Sequence, residues 1–144
     1  MNRFVFNLGR VLEWYGKQLQ LEENRLSDCH AALSKAQRAL ADVRTARLET
    51  ERALINSSSI VAAHLRALEQ FRRKSLNDEK SLNGECEASQ RKLEAQLEIV
   101  KLAQRKVRLL EKLRERRLTE HTYAVNRELE QLAADTYLAK FRAP

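Results

Sequence analysis

One proline and three glycines in 144 residues leave this chain almost without the residues that reverse a backbone. A β-sandwich, a barrel or an α/β sheet needs such residues every ten or so positions, so those folds are excluded. Aromatic residues are scarce at 6% and charged residues abundant at 33%, which excludes a large round core. Cysteine is confined to Cys29 and Cys86, too few and too far apart for a disulfide framework or a zinc site. No run approaches the roughly 20 apolar residues of a membrane span, and the opening, with Arg3, Arg10 and Glu13, has no signal-like hydrophobic stretch. A cytoplasmic protein is expected. His30, His64 and His121 have no ligand set at metal spacing, and Gly9, Gly16 and Gly84 are isolated rather than gathered into a phosphate loop. The expectation is a non-enzyme with no metal and no cofactor.

What the chain has in quantity is Ala, Glu, Lys, Leu and Arg, the composition of long helices and coiled coils. Leucine falls at Leu12, Leu19, Leu26, Leu33 and Leu40, every seventh residue, and returns at Leu54 after Arg47 takes one turn. Three residues after these come Tyr15, Cys29, Ala36 and Val43, with Leu8 before them and Glu22 and Thr50 as polar exceptions. Positions a and d of a heptad are thereby filled over about seven repeats, which is a coiled-coil seam.

The pattern stops at Asn56, Ser57, Ser58 and Ser59, residues suited to caps and turns, and restarts at Ile60, Val61, Leu65 and Leu68. The prediction is one all-α domain spanning 1–144: a long two-helix antiparallel coiled-coil hairpin with a C-terminal helical overhang. Helix 1 is expected over about 3–55, the turn over 56–59 and helix 2 over about 60–141. A single continuous helix and a fold at Asn83-Gly84 are the alternatives. A turn centred between Ser57 and Ser58 makes facing residues sum to about 115. Leu54 then faces Val61, Leu33 faces Leu82, Cys29 faces Cys86 and Tyr15 faces Val100. Val43 against Arg72 and Ala36 against Glu79 are poor matches, so this stretch is expected to be the loosest.

The same register sets Met1 against Arg114 and leaves the last 30 or so residues unpaired. Leu118, Val125, Leu129 and Leu132 continue an apolar stripe there, followed by Tyr137, Leu138 and Phe141. Phe4, Phe6, Val11 and Trp14 bring apolar groups beyond those of the seam to the same end. Such a surface marks a partner site, with pairing of two overhangs as the alternative. The net charge of +7 is concentrated between Lys101 and Arg117, including Arg114, Arg116 and Arg117, which points to an acidic partner. Nucleic acid would require a helix face with few acids, and is not the expected partner.

Phe4-Val5-Phe6-Asn7-Leu8 followed by Val11-Leu12, the basic segment from Leu110 to Arg117, and Glu130-Gln131 with Asp135 together resemble the FliJ family of flagellar export proteins. Thr136 stands where that family usually has Glu, and His64 where it has an aromatic. The resemblance implies a component of the bacterial flagellar type III export machine. Its partners would be the ring of the export ATPase, the membrane protein of the export gate and export chaperones. The chain would then sit in the cytoplasm, at the inner face of the cell membrane through those partners. The ATPase contact would involve Phe4, Phe6, Leu8, Arg114, Arg116, Arg117, Leu118, Val125, Leu129 and Leu132. The gate contact would involve Leu65, Leu68 and Phe71, of which Phe71 is the freest because the other two fall on the predicted seam. The alternatives are a structural or tethering coiled coil of another system, such as an injectisome stalk protein, and a basic nucleic-acid-binding helical protein.

Overall fold

The computed structural model describes residues 3–57, 59 and 61–142. Two helices account for nearly all of them: α1, Gly9–Ile55, and α2, Ala62–Arg142. They pack together as a two-helix hairpin, and no strand occurs among the described residues. The helix runs unbroken through Asn83 and Gly84, which removes that position as a fold point. At the end of α1 the amides of Asn56 and Ser57 donate to the carbonyls of Arg52 and Leu54, and the Ser57 hydroxyl donates to Leu54 at 2.9 Å. These bonds satisfy carbonyls that the helix end would leave bare. Helix α2 begins at Ala62, two residues later than expected, and Ser58 and Ile60 lie outside the described residues.

Helix α1 begins at Gly9 rather than near residue 3. Between Phe4 and Leu8 burial alternates: Phe4, Phe6 and Leu8 are half-buried, Val5 and Asn7 exposed. Residues 3–6 lie outside any helix and Asn7–Leu8 form a turn, closed by the Gly9 amide donating to the Phe6 carbonyl at 3.0 Å, so the alternation belongs to a non-helical segment and is incompatible with a helical stripe.

Two compact units divide the chain, one formed by Leu21–Val100 and one by Met1–Gln20 with Lys101–Pro144. In Leu21–Val100 the expected α1 seam is present: every a and d position is buried or half-buried, with Leu33, Ala36 and Leu40 the most covered. The register differs. Arg44 donates to Glu79 at 2.6 Å, Arg72 lies 3.9 Å from Glu51, and Gln96 donates to the backbone carbonyl of Glu22 at 3.0 Å. The numbers 44 and 79 sum to 123, as do 51 and 72, while 22 and 96 sum to 118. These pairs centre on about 122, one heptad beyond the expected 115.

Leu54 therefore stands opposite Leu68, Leu40 opposite Leu82, Ala36 opposite Cys86 and Cys29 opposite Leu93. Cys29 and Cys86 are not in one layer but seven residues apart along the seam, roughly 10 Å of helix. Within 62–100 of α2, burial begins only at Leu68. The physical reason is the six-residue connection, which lets the first turn of α2 run past the end of α1.

The polar residues within the seam account for the choice of register. Glu22 accepts from Gln96 and Arg25, Thr50 donates to the Ala46 carbonyl, and Arg47 lies 3.6 Å from Glu79. Each α1 exception thus has a partner, two of them across the helix pair. The stretch expected to be loosest instead holds two of the three best-covered residues of α1, Ala36 and Leu40, and Ser75 opposite Arg47 is 6% exposed. Hydrogen exchange is therefore expected to be slowest around Leu33–Leu40 and Ser75, and fast beyond residue 126. Slower exchange at Leu26 than at Leu40 would contradict this assignment.

Candidate partner-binding surfaces

The unit formed by Met1–Gln20 with Lys101–Pro144 carries the whole charge excess. It has 14 basic and 7 acidic residues, a difference of +7, while Leu21–Val100 has 13 of each and is neutral. Residues 101–117 contribute most of this, with eight cations against Glu111 and Glu115. Arg105, Arg108, Lys112 and Arg116 follow one another at spacings of three and four, so they share one face of α2, and all four are exposed. Arg116 pairs with Glu120 at 3.3 Å in solvent, an interaction that barely reduces its availability. Lys106 instead lies over the Tyr15 ring, 5.8 Å from its centroid.

The expected ATPase-contact residues divide into two groups. Phe4, Phe6 and Leu8 are half-buried within their own unit, with the Phe4 ring 5.6 Å from that of His121. Phe4 and Phe6 were expected as free apolar groups and Leu8 as a seam residue, but all three serve the chain's own packing. The pair Phe4 and His121 sums to 125, and Tyr15 with Lys106 to 121, so this unit also pairs beyond 115. Helix α2 is consequently matched as far as His121, seven residues further than Arg114. Val125 is half-buried, whereas Leu118, Leu129 and Leu132 are exposed, as are Arg114, Arg116 and Arg117.

From Asn126 to Arg142 every residue is exposed, a helical length of about 25 Å. Leu129, Leu132, Tyr137, Leu138 and Phe141 all lie open there, the Tyr137 and Phe141 rings meeting at a tilt of 59° with centroids 4.8 Å apart. Glu130, Gln131 and Asp135 are exposed on the same segment. Of the heptad positions that continue the seam of Val100, Ala103, Val107 and Leu110, three are taken here by Glu128, Gln131 and Asp135 and only the fourth, Leu138, stays apolar. The apolar stripe has moved by one position, through an 11-residue step from Val107 to Leu118. In a straight helix that step returns to nearly the same face while breaking the heptad phase required for pairing with α1. The step is legible in the sequence and marks where pairing with α1 ends.

A second apolar surface lies at the turn end of the Leu21–Val100 unit. Leu54, Ile55, Leu65 and Leu68 line a groove flanked by Glu51 and Arg72. Ile55 is 78% exposed, and Val61 and Leu65 are about half exposed. Of the three expected gate residues, Leu65 is the exposed one, whereas Leu68 and Phe71 are half-buried in the seam. The preference for Phe71 is thereby reversed, because the longer register frees Leu65 and draws Phe71 inward. Ile55 was missed: its place beyond the last seam residue, Leu54, was the available signal.

Among the described residues there is no group of three or more His, Cys, Asp and Glu side chains able to hold a metal ion, and no helix long and apolar enough to cross a membrane. No family model, curated protein or solved structure matches the chain.

Proposed function

We propose that this chain is a non-enzymatic component of a bacterial flagellar type III export apparatus, a coiled-coil stalk that binds the export ATPase ring and connects it to the export gate and export chaperones. The observation that carries the reading is the exposed segment from Asn126 to Arg142, an apolar helix without an α1 partner in the unit that holds all the net charge. An acidic opening lined with apolar groups complements such an end. Apolar burial would supply affinity, and the exposed arginines would supply orientation and encounter rate. The protein would stay in the cytoplasm and reach the membrane's inner face only through its partners.

The test is a titration of the full chain against purified export ATPase and, separately, against duplex DNA at physiological salt. Saturable ATPase binding with negligible DNA binding is expected. Tight DNA binding that falls steeply as salt rises, with no ATPase binding, would instead establish the nucleic-acid reading.

The turn-end groove is the proposed gate contact, with Leu65 and Ile55 as its centre. Leu65→Ala should leave thermal stability within about 0.5 kcal/mol of the parent, as for an exposed site. It should weaken gate binding about tenfold or more, the range of a truncated contact-centre residue. Loss of stability without loss of binding would show that Leu65 belongs to the seam.

A further inference from the structure

We infer that the Leu21–Val100 unit is a two-register element, in which a slide of one heptad between α1 and α2 covers or uncovers the apolar surface at the turn. The seam repeats every seven residues on both helices, so a slide by seven returns apolar groups to apolar groups. In the observed register Leu54 meets Leu68, Leu40 meets Leu82 and Cys29 meets Leu93. One heptad away Leu54 meets Val61, Leu33 meets Leu82 and Cys29 meets Cys86. Dispersion and burial discriminate little between these sets.

Charge is what separates them. In the observed register Glu79 sits between Arg44 and Arg47, and Glu51 lies near Arg72. After the slide Glu79 would face Ala36, Arg47 would face Leu68, and Arg72 would face Val43. A single polar position setting register is a familiar property of coiled coils. The hold is incomplete, however. Arg47 Nε and Glu79 Oε2 are buried without a hydrogen-bond partner, and Arg47 approaches Glu79 only to 3.6 Å. An ion cluster with unfilled hydrogen bonds offsets its desolvation poorly. It favours one register without making the other inaccessible.

The two registers differ in what they expose. In the observed one, residues 62–67 run past the end of α1, and Val61 and Leu65 are open. After the slide Val61 would face Leu54 and Leu65 would face Thr50, so α1 would occupy the surface a partner needs. A partner that grips Leu65 thus holds the observed register, and neutralising Glu79 releases it. The gating half of this inference rests on the turn-end contact proposed above; the two registers themselves do not.

The native cysteines report the slid register, because only there do Cys29 and Cys86 come within disulfide reach. A chain with Cys29→Ala and Ala36→Cys reports the observed one through residues 36 and 86. Under mild oxidation of monomeric protein, the second chain should form its intrachain bond and the native chain should not. Glu79→Arg, which sets three cations together, should reverse both yields. Adding Arg44→Glu and Arg47→Glu to it should restore the original pattern, which a merely destabilising change would not do. Helicity is followed throughout, and Glu79→Gln carries the same expectation should the arginine variant lose it. Equal cross-linking at both pairs in the unsubstituted chain, or yields indifferent to the charge at Glu79 in a helical protein, would overturn the two-register assignment. With the two disulfides in place as locks, gate protein should bind the 36–86 form at least tenfold more tightly than the 29–86 form. Equal binding would refute the gating, and binding to neither would refute the gate contact while leaving the registers standing.

Discussion

Removal of residues 126–144 should abolish binding to the export ATPase, a loss of at least a hundredfold in affinity, while the helix pair keeps its cooperative unfolding. The expectation follows from exposure: every described residue of that segment lies open, so its deletion takes away partner surface and no buried contact. Tyr137 is of the residue type that most often dominates binding energy once desolvated, and Leu129, Leu132, Leu138 and Phe141 add apolar area around it. The boundary is important. A cut at Leu118 would also remove His121, the ring against which Phe4 rests, and would confuse a folding defect with a binding defect. Circular dichroism should fall only in proportion to the helical residues removed. If the shortened chain binds the ATPase as well as the full one, the proposed working end is wrong.

Replacing Arg47 and Glu79 together by leucine should stabilise the chain by about 1–4 kcal/mol, the range seen when a desolvated ion pair gives way to apolar groups of similar size. Both positions belong to the seam, with side chains only 21% and 16% exposed, and both carry a buried polar atom that lacks a hydrogen bond. Arg44, about half exposed, can turn into water when its partner is lost. Either single change to alanine should act in the opposite direction, by about 1–3 kcal/mol, because one charge is then left desolvated and alone. Chemical denaturation gives both signs directly. A stabilised double variant that also forms the Cys29–Cys86 disulfide would show that the charges supply uniqueness at the expense of stability. A destabilised double variant would show that the ion cluster is a net source of stability.

The seam of α1 was legible residue by residue because it depends on period alone: the leucines at 12, 19, 26, 33 and 40 occupy the covered positions. The register was not legible from the same pattern, since a seven-residue period is blind to slides of seven. The missing information lay in the polar exceptions. Sliding the helices until Arg44 met Glu79 and Glu51 met Arg72, two pairs that share one sum, would have found the observed pairing. The start of α1 was misplaced for a related reason. Phe4, Phe6 and Leu8 alternate with a period of two, but the strong helical signal from Leu12 onward absorbed them. Their position beside α2 then moved the start of the bare segment from Arg114 to about Asn126. The exposed apolar end survived these corrections because α2, at 81 residues, outruns the 47 of α1 in either register.

Trp14 is the chain's only tryptophan, and it sits more than half exposed, edge-on to Tyr15 at 5.1 Å. Its emission is therefore a local probe of the unit formed by the terminal segments, blind to the ion cluster around Glu79. A ligand that covers Trp14 should shift the spectrum to the blue, whereas a substitution within residues 21–100 that keeps the register should leave it still. Fluorescence and cysteine cross-linking, recorded on one sample, thus separate a docking event, which shifts the emission and leaves the cross-link as it was, from a heptad slide, which carries Tyr15 along α1 away from Lys106 and alters both.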